Sequence, residues 1–355
     1  MNLINILKNP PTYLLMFLVV VVVVLSSVYW ATGRAASQSL LGNALQKQLV
    51  ITRAGSLFIR GFFDLAGKSL ALLAQHTELD SENADHQAIL DQFVSDWSGS
   101  PIVGLVLTDH QGVVTNNANI NQSPETGTDL SDREYFAWAK QARPNQFFVS
   151  RPILSRLGAS KGKEIAIIAT PVFKNEKFNG VLAVAVVLEK FATLYLQDFN
   201  VSSATDVYLF DADGTILISP ETKNIGQNAF DLISANPFLG DRIIVPMFRK
   251  VLAEGQEGSA DLVVPTASGN KLTRSLITYA PIKNLSVNGQ TWMLVVTSPT
   301  ESILSLIAPT YIKELTLVIG VFFALLILIM VWMRWQNRQI AQRSVPKQNP
   351  NSNLQ

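Results

Sequence analysis

Two stretches without a charged residue bracket this chain, and they constrain it more than any other feature. No side chain between Lys8 and Arg34 carries a charge, and the segment includes an unbroken valine run from Val19 to Val24. Between Glu314 and Arg334 there is again no charge, and Leu315 to Met333 is almost wholly apolar. A helix needs about 20 apolar residues to cross a hydrocarbon core of ~30 Å, so residues 13–31 and 315–335 are expected to be transmembrane helices. Tyr29 and Trp30 close the first, Trp332 and Trp335 the second, at the depth where amphipathic rings settle. A cleaved signal peptide is the rival reading of the first stretch. Its apolar region is longer than the roughly 7–15 residues usual there, and no clear small-x-small cleavage site follows it, which favours a retained anchor.

Basic residues set the expected orientation. The segment after the second stretch carries Arg334, Arg338, Arg343 and Lys347 without Asp or Glu, and Lys8 precedes the first. Positive charge marks the cytoplasmic side, so both ends are expected inside and residues from about 34 to 314 outside. The chain has no cysteine, which excludes disulfides and thiolate chemistry. An outside domain must then rest on core burial, for which nearly 300 residues suffice. A formal net charge of +1 gives no argument for nucleic acid.

Between the apolar stretches the pattern is first helical. No proline occurs between Pro11 and Pro101. Ala44, Ile51, Phe58, Leu65 and Leu72 recur at seven-residue intervals, each followed by Leu45, Thr52, Ile59, Ala66 or Leu73. Such a stripe predicts one long amphipathic helix over 34–78. Gln48, Gly55 and Ser69 in other registers suit a helix lying along a domain better than a coiled-coil seam, with part of its face left for a homodimer. A shorter helix is expected around Gln87 to Trp97.

From Pro101 the period becomes that of strands. Ile102–Leu107 leads to Asp109-His110-Gln111-Gly112 and Val113-Val114. The arrangement returns as Val207–Phe210, Asp211-Ala212-Asp213-Gly214 and Thr215–Ile218. Both predict hairpins with glycine supplying positive φ. Ile165–Thr170, a turn through Gly180 and Val181–Leu188 are likewise echoed by Leu276–Ala280, a turn through Gly289 and Trp292–Thr297. The expected fold is α+β: a long N-terminal helix and two tandem antiparallel-sheet units at about 85–190 and 200–298. Leu188–Phe199 is expected to join them as a helix. Ser298-Pro299-Thr300-Glu301 reads as a capped helix start, opening a connector over 299–314 that Pro309 should kink or break. A short N-terminus (1–12) and a disordered basic tail (336–355) complete the division.

Catalytic chemistry is hard to place. His76, His86 and His110 have no metal-ligand spacing, Asp211–Gly214 lacks the flanking ligands of a calcium loop, and the phosphate-loop motif Gly-x-x-x-x-Gly-Lys does not occur. No enzyme activity and no cofactor are expected.

Three further segments carry a resemblance. Asp132-Arg133-Glu134-Tyr135-Phe136, Phe148-Val149-Ser150-Arg151-Pro152 and Gly180-Val181-Leu182 follow in order behind the long helix. Together they resemble the double Cache domains, tandem PAS-like sensors of bacterial chemoreceptors and sensor kinases, over roughly Arg34 to Thr297. The resemblance implies a bacterial plasma-membrane protein whose first, membrane-distal unit holds a small ligand. It points to Arg133, Tyr135, Phe136 and Arg151, with Trp138, Phe148 and Ser150 as additions. Arginine suits a carboxylate or phosphate, and aromatic rings wall an apolar pocket. The same residues equally suit a core, with Arg133 in an ion pair to Asp129 or Asp132. Amino-acid-binding members carry Trp-Tyr where Tyr135 and Phe136 stand, a Tyr at Thr128, and an Asp at Ala185 that pairs the ligand's ammonium. An α-amino group would lack that buried counter-charge, so the expected ligand is a carboxylate or other small polar molecule rather than an ordinary amino acid. The function so implied is a membrane-anchored sensor without its own output domain, signalling to a separate cytoplasmic or membrane partner. An envelope adaptor reusing the fold and a truncated receptor are the rivals.

Overall fold

The structure is a computed structural model that describes residues 10–75, 86–199, 204–235, 244–265, 272–285, 291–305 and 308–343. It divides into two units, one of residues 1–41 and 304–355, the other of Gly42–Ile303.

The larger unit holds both sheets. After helix α1 (Pro10–Leu73) and helix α2 (His86–Asp96) come β1 (Ile102–Thr108), β2 (Val114–Asn119), α3 (Glu134–Ala139), β3 (Phe148–Val149), β4 (Ile153–Leu154), β5 (Glu164–Lys174) and β6 (Lys177–Val187). These strands form an antiparallel sheet in the order β2-β1-β6-β5-β3, with β4 also on β5. Helix α4 (Leu188–Tyr195) leads to the second set: β7 (Asp206–Asp211), β8 (Ile216–Ile218), α5 (Ala229–Ser234), α6 (Ile244–Glu254), β9 (Gly258–Pro265), β10 (Leu272–Ile282) and β11 (Trp292–Pro299). Their order is β8-β7-β11-β10-β9, again antiparallel. β1, β2, β5 and β6 thus match β7, β8, β10 and β11 in chain order and in place, the α+β repeat expected from the spacings.

The turns show the local cause. Asp109 Oδ1 accepts from the backbone N–H groups of Gln111, Gly112 and Val113. Asp211 Oδ1 does the same for Asp213 and Thr215. Gly112 and Gly214 sit at φ of 98° and 86°, a region that penalises any Cβ. The expected turn through Gly180 lies elsewhere. Asn175 and Glu176, both at positive φ, join β5 to β6 as a two-residue hairpin turn requires, and Gly180 lies inside β6. Its counterpart at Gly289 lies outside the described residues.

The stripe on α1 lies in a shifted register. Gln48, Thr52, Ser56, Ile59, Phe63, Ala66 and Leu70 are buried, whereas Phe58, Leu65 and Leu72 from the seven-residue column are exposed. The buried face meets a core built from both sheets, including Leu105, Ile168 and Val184 of the first and Leu209, Trp292 and Leu294 of the second. Gln48 Nε2 donates to the carbonyls of Leu276 and Val296 at 3.2 and 2.7 Å, and Thr52 bonds Thr278 through their hydroxyls. Gly55 lies so close to Leu294 that a Cβ would come within 2.8 Å of it. Residues that break a coiled-coil seam therefore serve a sheet-packing face.

β11 runs through Pro299, and α7 (Thr300–Ser305) starts after it. Ser298 does not serve as the expected cap: its hydroxyl bonds that of Thr205 at 2.9 Å. In the smaller unit α8 runs Ala308–Arg343, with Pro309 in its first turn and its end beyond the expected span. Among the described residues no helix is long and apolar enough to cross a membrane. The expected spans 13–31 and 315–335 fall partly outside the described side chains, at residues 13–19, 22, 315, 318 and 333.

Candidate functional site

The first sheet and the segments folded over it enclose a cavity of about 50 Å³, room for a few waters. Its floor is made by small side chains. Gly104, Ala185 and Ile167 stand in register across β1, β6 and β5, beside a second row through Val106 and Ala183. All five line the cavity.

One wall is the segment between β2 and α3, and side chains of β2 fold it. Asn117 Nδ2 donates to Ser123 O at 2.8 Å while its Oδ1 accepts from Glu125 N at 3.0 Å. Asn119 Nδ2 donates to the same carbonyl, and its Oδ1 accepts from the backbone of Asn121 and Ser123. These amides replace ladder partners that an irregular segment lacks. Glu125, Leu130, Arg133 and Tyr135 are thereby brought to the cavity. Arg133 occupies the N-cap position of α3 without capping it. Its guanidinium makes no hydrogen bond or salt bridge to any described residue.

The opposite wall runs from Ile153 to Ser160. Ser155 and Ser160 are buried and bond each other through their hydroxyls at 2.8 Å. A two-pronged ion pair joins the walls: Arg156 NH1 and NH2 donate to the two oxygens of Asp132 at 3.1 and 2.8 Å. That bond holds the Asp132 carboxyl below its ordinary range, and a hydrogen bond from Ser131 does the same for Asp129. Asp132 and Asp129, the expected partners of Arg133, bond Arg156 and Ser131 instead, and the charge of Arg133 adds a smaller lowering effect on Asp132. Burial pushes the Tyr135 phenol up to about 12, so it is a neutral hydroxyl at physiological pH. Burial also raises the Glu125 carboxyl, and no neighbouring cation offsets that effect. Its Oε1 is buried without a hydrogen-bond partner.

Of the seven residues named from sequence, the cavity brings together Arg133 and Tyr135. Phe136 and Phe148 are core, the first against Phe178 and the second against Trp138. Ser150 is buried, donating to Arg151 O and accepting from Ile167 N. Arg151 pairs with Asp213 of the second sheet at 2.6 Å. Glu125, Arg156 and the Ser155–Ser160 turn were not named from sequence. The asparagine-rich run Asn116–Asn121 is the signal for a side-chain-folded wall there. Ala185, read as the replacement of a charged residue, does line the cavity.

A larger recess of about 310 Å³ lies between α4 and the second sheet. Its carboxylate Glu189 faces Lys163 at 3.9 Å, and Thr193 bonds back to its own helix. It offers less to a ligand than a cavity lined by an arginine that no described residue bonds.

Two sheets of one topology, laid along a shared helix and with a cavity over the first, define a tandem PAS-like module. The chain belongs to the Cache domain family, whose profile matches residues 33–307. Comparison with curated proteins gives no match. Among solved structures, the periplasmic sensory domain of the Campylobacter jejuni chemoreceptor Tlp1 superposes with a TM-score of 0.56 at 16% identity, covering 75% of this chain and 98% of that one. The ligand-binding domain of the Pseudomonas aeruginosa amino-acid chemoreceptor PctB, in complex with L-Arg, gives 0.53 at 16% identity, with 74% and 96% covered. That of Pseudomonas fluorescens CtaA with L-alanine gives 0.52 at 17%, with 74% and 98% covered. At these identities the likeness is one of fold.

Proposed function

We propose that the protein is a membrane-anchored extracytoplasmic sensor, not an enzyme, whose first sheet binds a small polar ligand through Arg133. The observation that carries this reading is the state of that arginine. Arg151 and Arg156 are paired with carboxylates, whereas Arg133 lines a cavity and bonds to no described residue. A guanidinium that makes no hydrogen bond or ion pair to a described residue, beside a neutral phenol, suits the charge-assisted recognition of an oxyanion. The chemoreceptor domains of like fold that hold amino acids support a small-molecule ligand.

Anchoring is supported by the helices of the smaller unit. Val20, Val23, Val24 and Leu25 on α1, and Leu317, Phe323, Leu328 and Val331 on α8, are exposed. A helix with such an apolar surface suits lipid, and Trp30, Trp332 and Trp335 suit its interfaces. Ligand binding would favour one arrangement of the module and pass that bias along these helices to a signalling partner. A second copy would cover the apolar stripe that α1 leaves exposed.

The test is a thermal-shift screen of the full chain in detergent against carboxylates, phosphates, amines and sugars. At least one class is expected to raise Tm, and Arg133→Ala should abolish that shift while leaving the unliganded Tm within a few degrees. A melting temperature that no class moves would count against sensing.

A further inference from the structure

Glu125 is the second charged group on the cavity whose side chain bonds to no described residue. Its backbone is fixed by the Asn117 bond to its N–H and by the bond from Thr128 N to its carbonyl. Its side chain is held against Gly158, where a Cβ would fall 2.2 Å from Oε1. Gly158 also lies at φ 45°. Only a residue without a side chain both adopts that backbone and leaves the carboxylate room. A buried carboxylate oxygen without a donor is costly, and this one is kept at the cavity wall, of which both Glu125 and Gly158 are part.

The second sheet supplies an internal control. Val114 N bonds Thr128 O as Ile216 N bonds Gln227 O, and Leu130 N bonds Gly112 O as Ala229 N bonds Gly214 O. The bond from Thr128 N to Glu125 O likewise repeats as Gln227 N to Asn224 O. In this register Glu125 matches Asn224, and Arg133, at the N-cap position of α3, corresponds to Asn228, the N-cap of α5. The repeat that keeps the wall's backbone keeps neither charge. Both charges are therefore features of the first cavity and not of the fold.

We infer that Glu125 is a recognition residue, and that the cavity takes a small zwitterion, with an N–H-bearing cation against Glu125 and an oxyanion at Arg133. This rests on the reading of the cavity as the ligand site. It changes what Ala185 implies: the missing counter-charge on β6 is supplied from the loop wall, so the ligand's cation lies against Glu125 and Gly158.

The experiment uses the full chain in detergent and four probe sets: propionate and butyrate, propylamine and putrescine, β-alanine, 4-aminobutyrate and L-alanine, and neutral sugars. Tm and calorimetry are read on the wild type, Glu125→Gln and Arg133→Ala. At least one zwitterion is expected to bind the wild type and to lose roughly ten-fold or more in affinity in Glu125→Gln. The unliganded Tm of that variant should equal or exceed the wild type's, since it removes a half-buried charge whose Oε1 has no donor. A raised Tm with lost binding separates recognition from a merely structural role. If nitrogen-free carboxylates bind as well as their amino counterparts, or if Glu125→Gln leaves zwitterion affinity unchanged, the inference fails while ligand binding at Arg133 stands. Binding by amines alone, untouched by Arg133→Ala, would overturn the zwitterion and the oxyanion site at Arg133. Absence of binding by every set would overturn the sensor reading together with the inference.

Discussion

At the scale of single residues, the cavity is a place where stability is given up for charge. Burial raises the Glu125 carboxyl above its ordinary 4.5, so the folded state binds this proton more tightly than the unfolded chain does. The unliganded protein therefore gains stability from this group as pH falls through the raised value, and the gain levels off near 4.5. Glu125→Gln removes the effect. Its Tm advantage over the wild type should be largest at neutral pH and close on acidification, as followed by thermal melts across pH. A difference that does not vary with pH would show that the carboxylate is not uncompensated in solution. Gly158→Ala should lower ligand affinity, because its Cβ must displace the Glu125 carboxylate. Arg133 and Tyr135 were legible from the Asp-Arg-x-Tyr-Phe segment. Glu125 was not, because nothing local distinguishes a loop carboxylate in solvent from one turned inward by two asparagine side chains.

At the scale of elements, α1 carries two apolar faces. The one with Ile59, Phe63, Ala66 and Leu70 is buried on the sheets. Phe63→Ala should cost about 3–5 kcal/mol in denaturant unfolding, the usual effect of an emptied aromatic site in a core. The other face runs through Val50, Leu57, Leu65 and Leu72, each more than half exposed. Such a stripe on a soluble surface points to a partner, and a second copy is the simplest one. Leu57→Glu with Leu65→Glu should turn a dimer into a monomer in light scattering, with melting of the monomer little changed. A wild type that is monomeric at micromolar concentration would rule the dimer out. Periodicity revealed the helix but not which stripe is inward. Both stripes repeat near seven residues, and only the sheets decide between them.

At the scale of the whole larger unit, the two sheets share one core along α1, and the Arg151–Asp213 pair adds a polar link between them. Both partners are more than half exposed, so the pair should contribute at most ~1 kcal/mol to stability. A double-mutant cycle on Arg151→Ala and Asp213→Ala read by urea melts would measure it. It ties the Asp211–Gly214 turn of the second sheet to the segment between β3 and β4, so under the proposed sensing role it is a position to test for ligand-dependent movement. The same cycle with ligand present should then give a different coupling energy; an identical value would show that the pair plays no part in transmission.

What the sequence determined by itself follows from local physics. Charge-free stretches, strand-length apolar runs, and Asp-x-x-Gly turns needing positive φ fixed the tandem α+β plan, since each depends on neighbours within a few residues. The two terminal apolar stretches also remain the basis for expecting a membrane. The tertiary structure decided what depends on side chains distant in sequence. It put Arg151 and Phe148 outside the cavity, moved a hairpin turn from Gly180 to Asn175-Glu176, and chose the inward stripe of α1. It also turned Glu125 towards the cavity that Arg133 lines. The reason is that a residue's face and partner are set by packing across the sheet and by loops closing over it, and spacing along the chain carries no record of either.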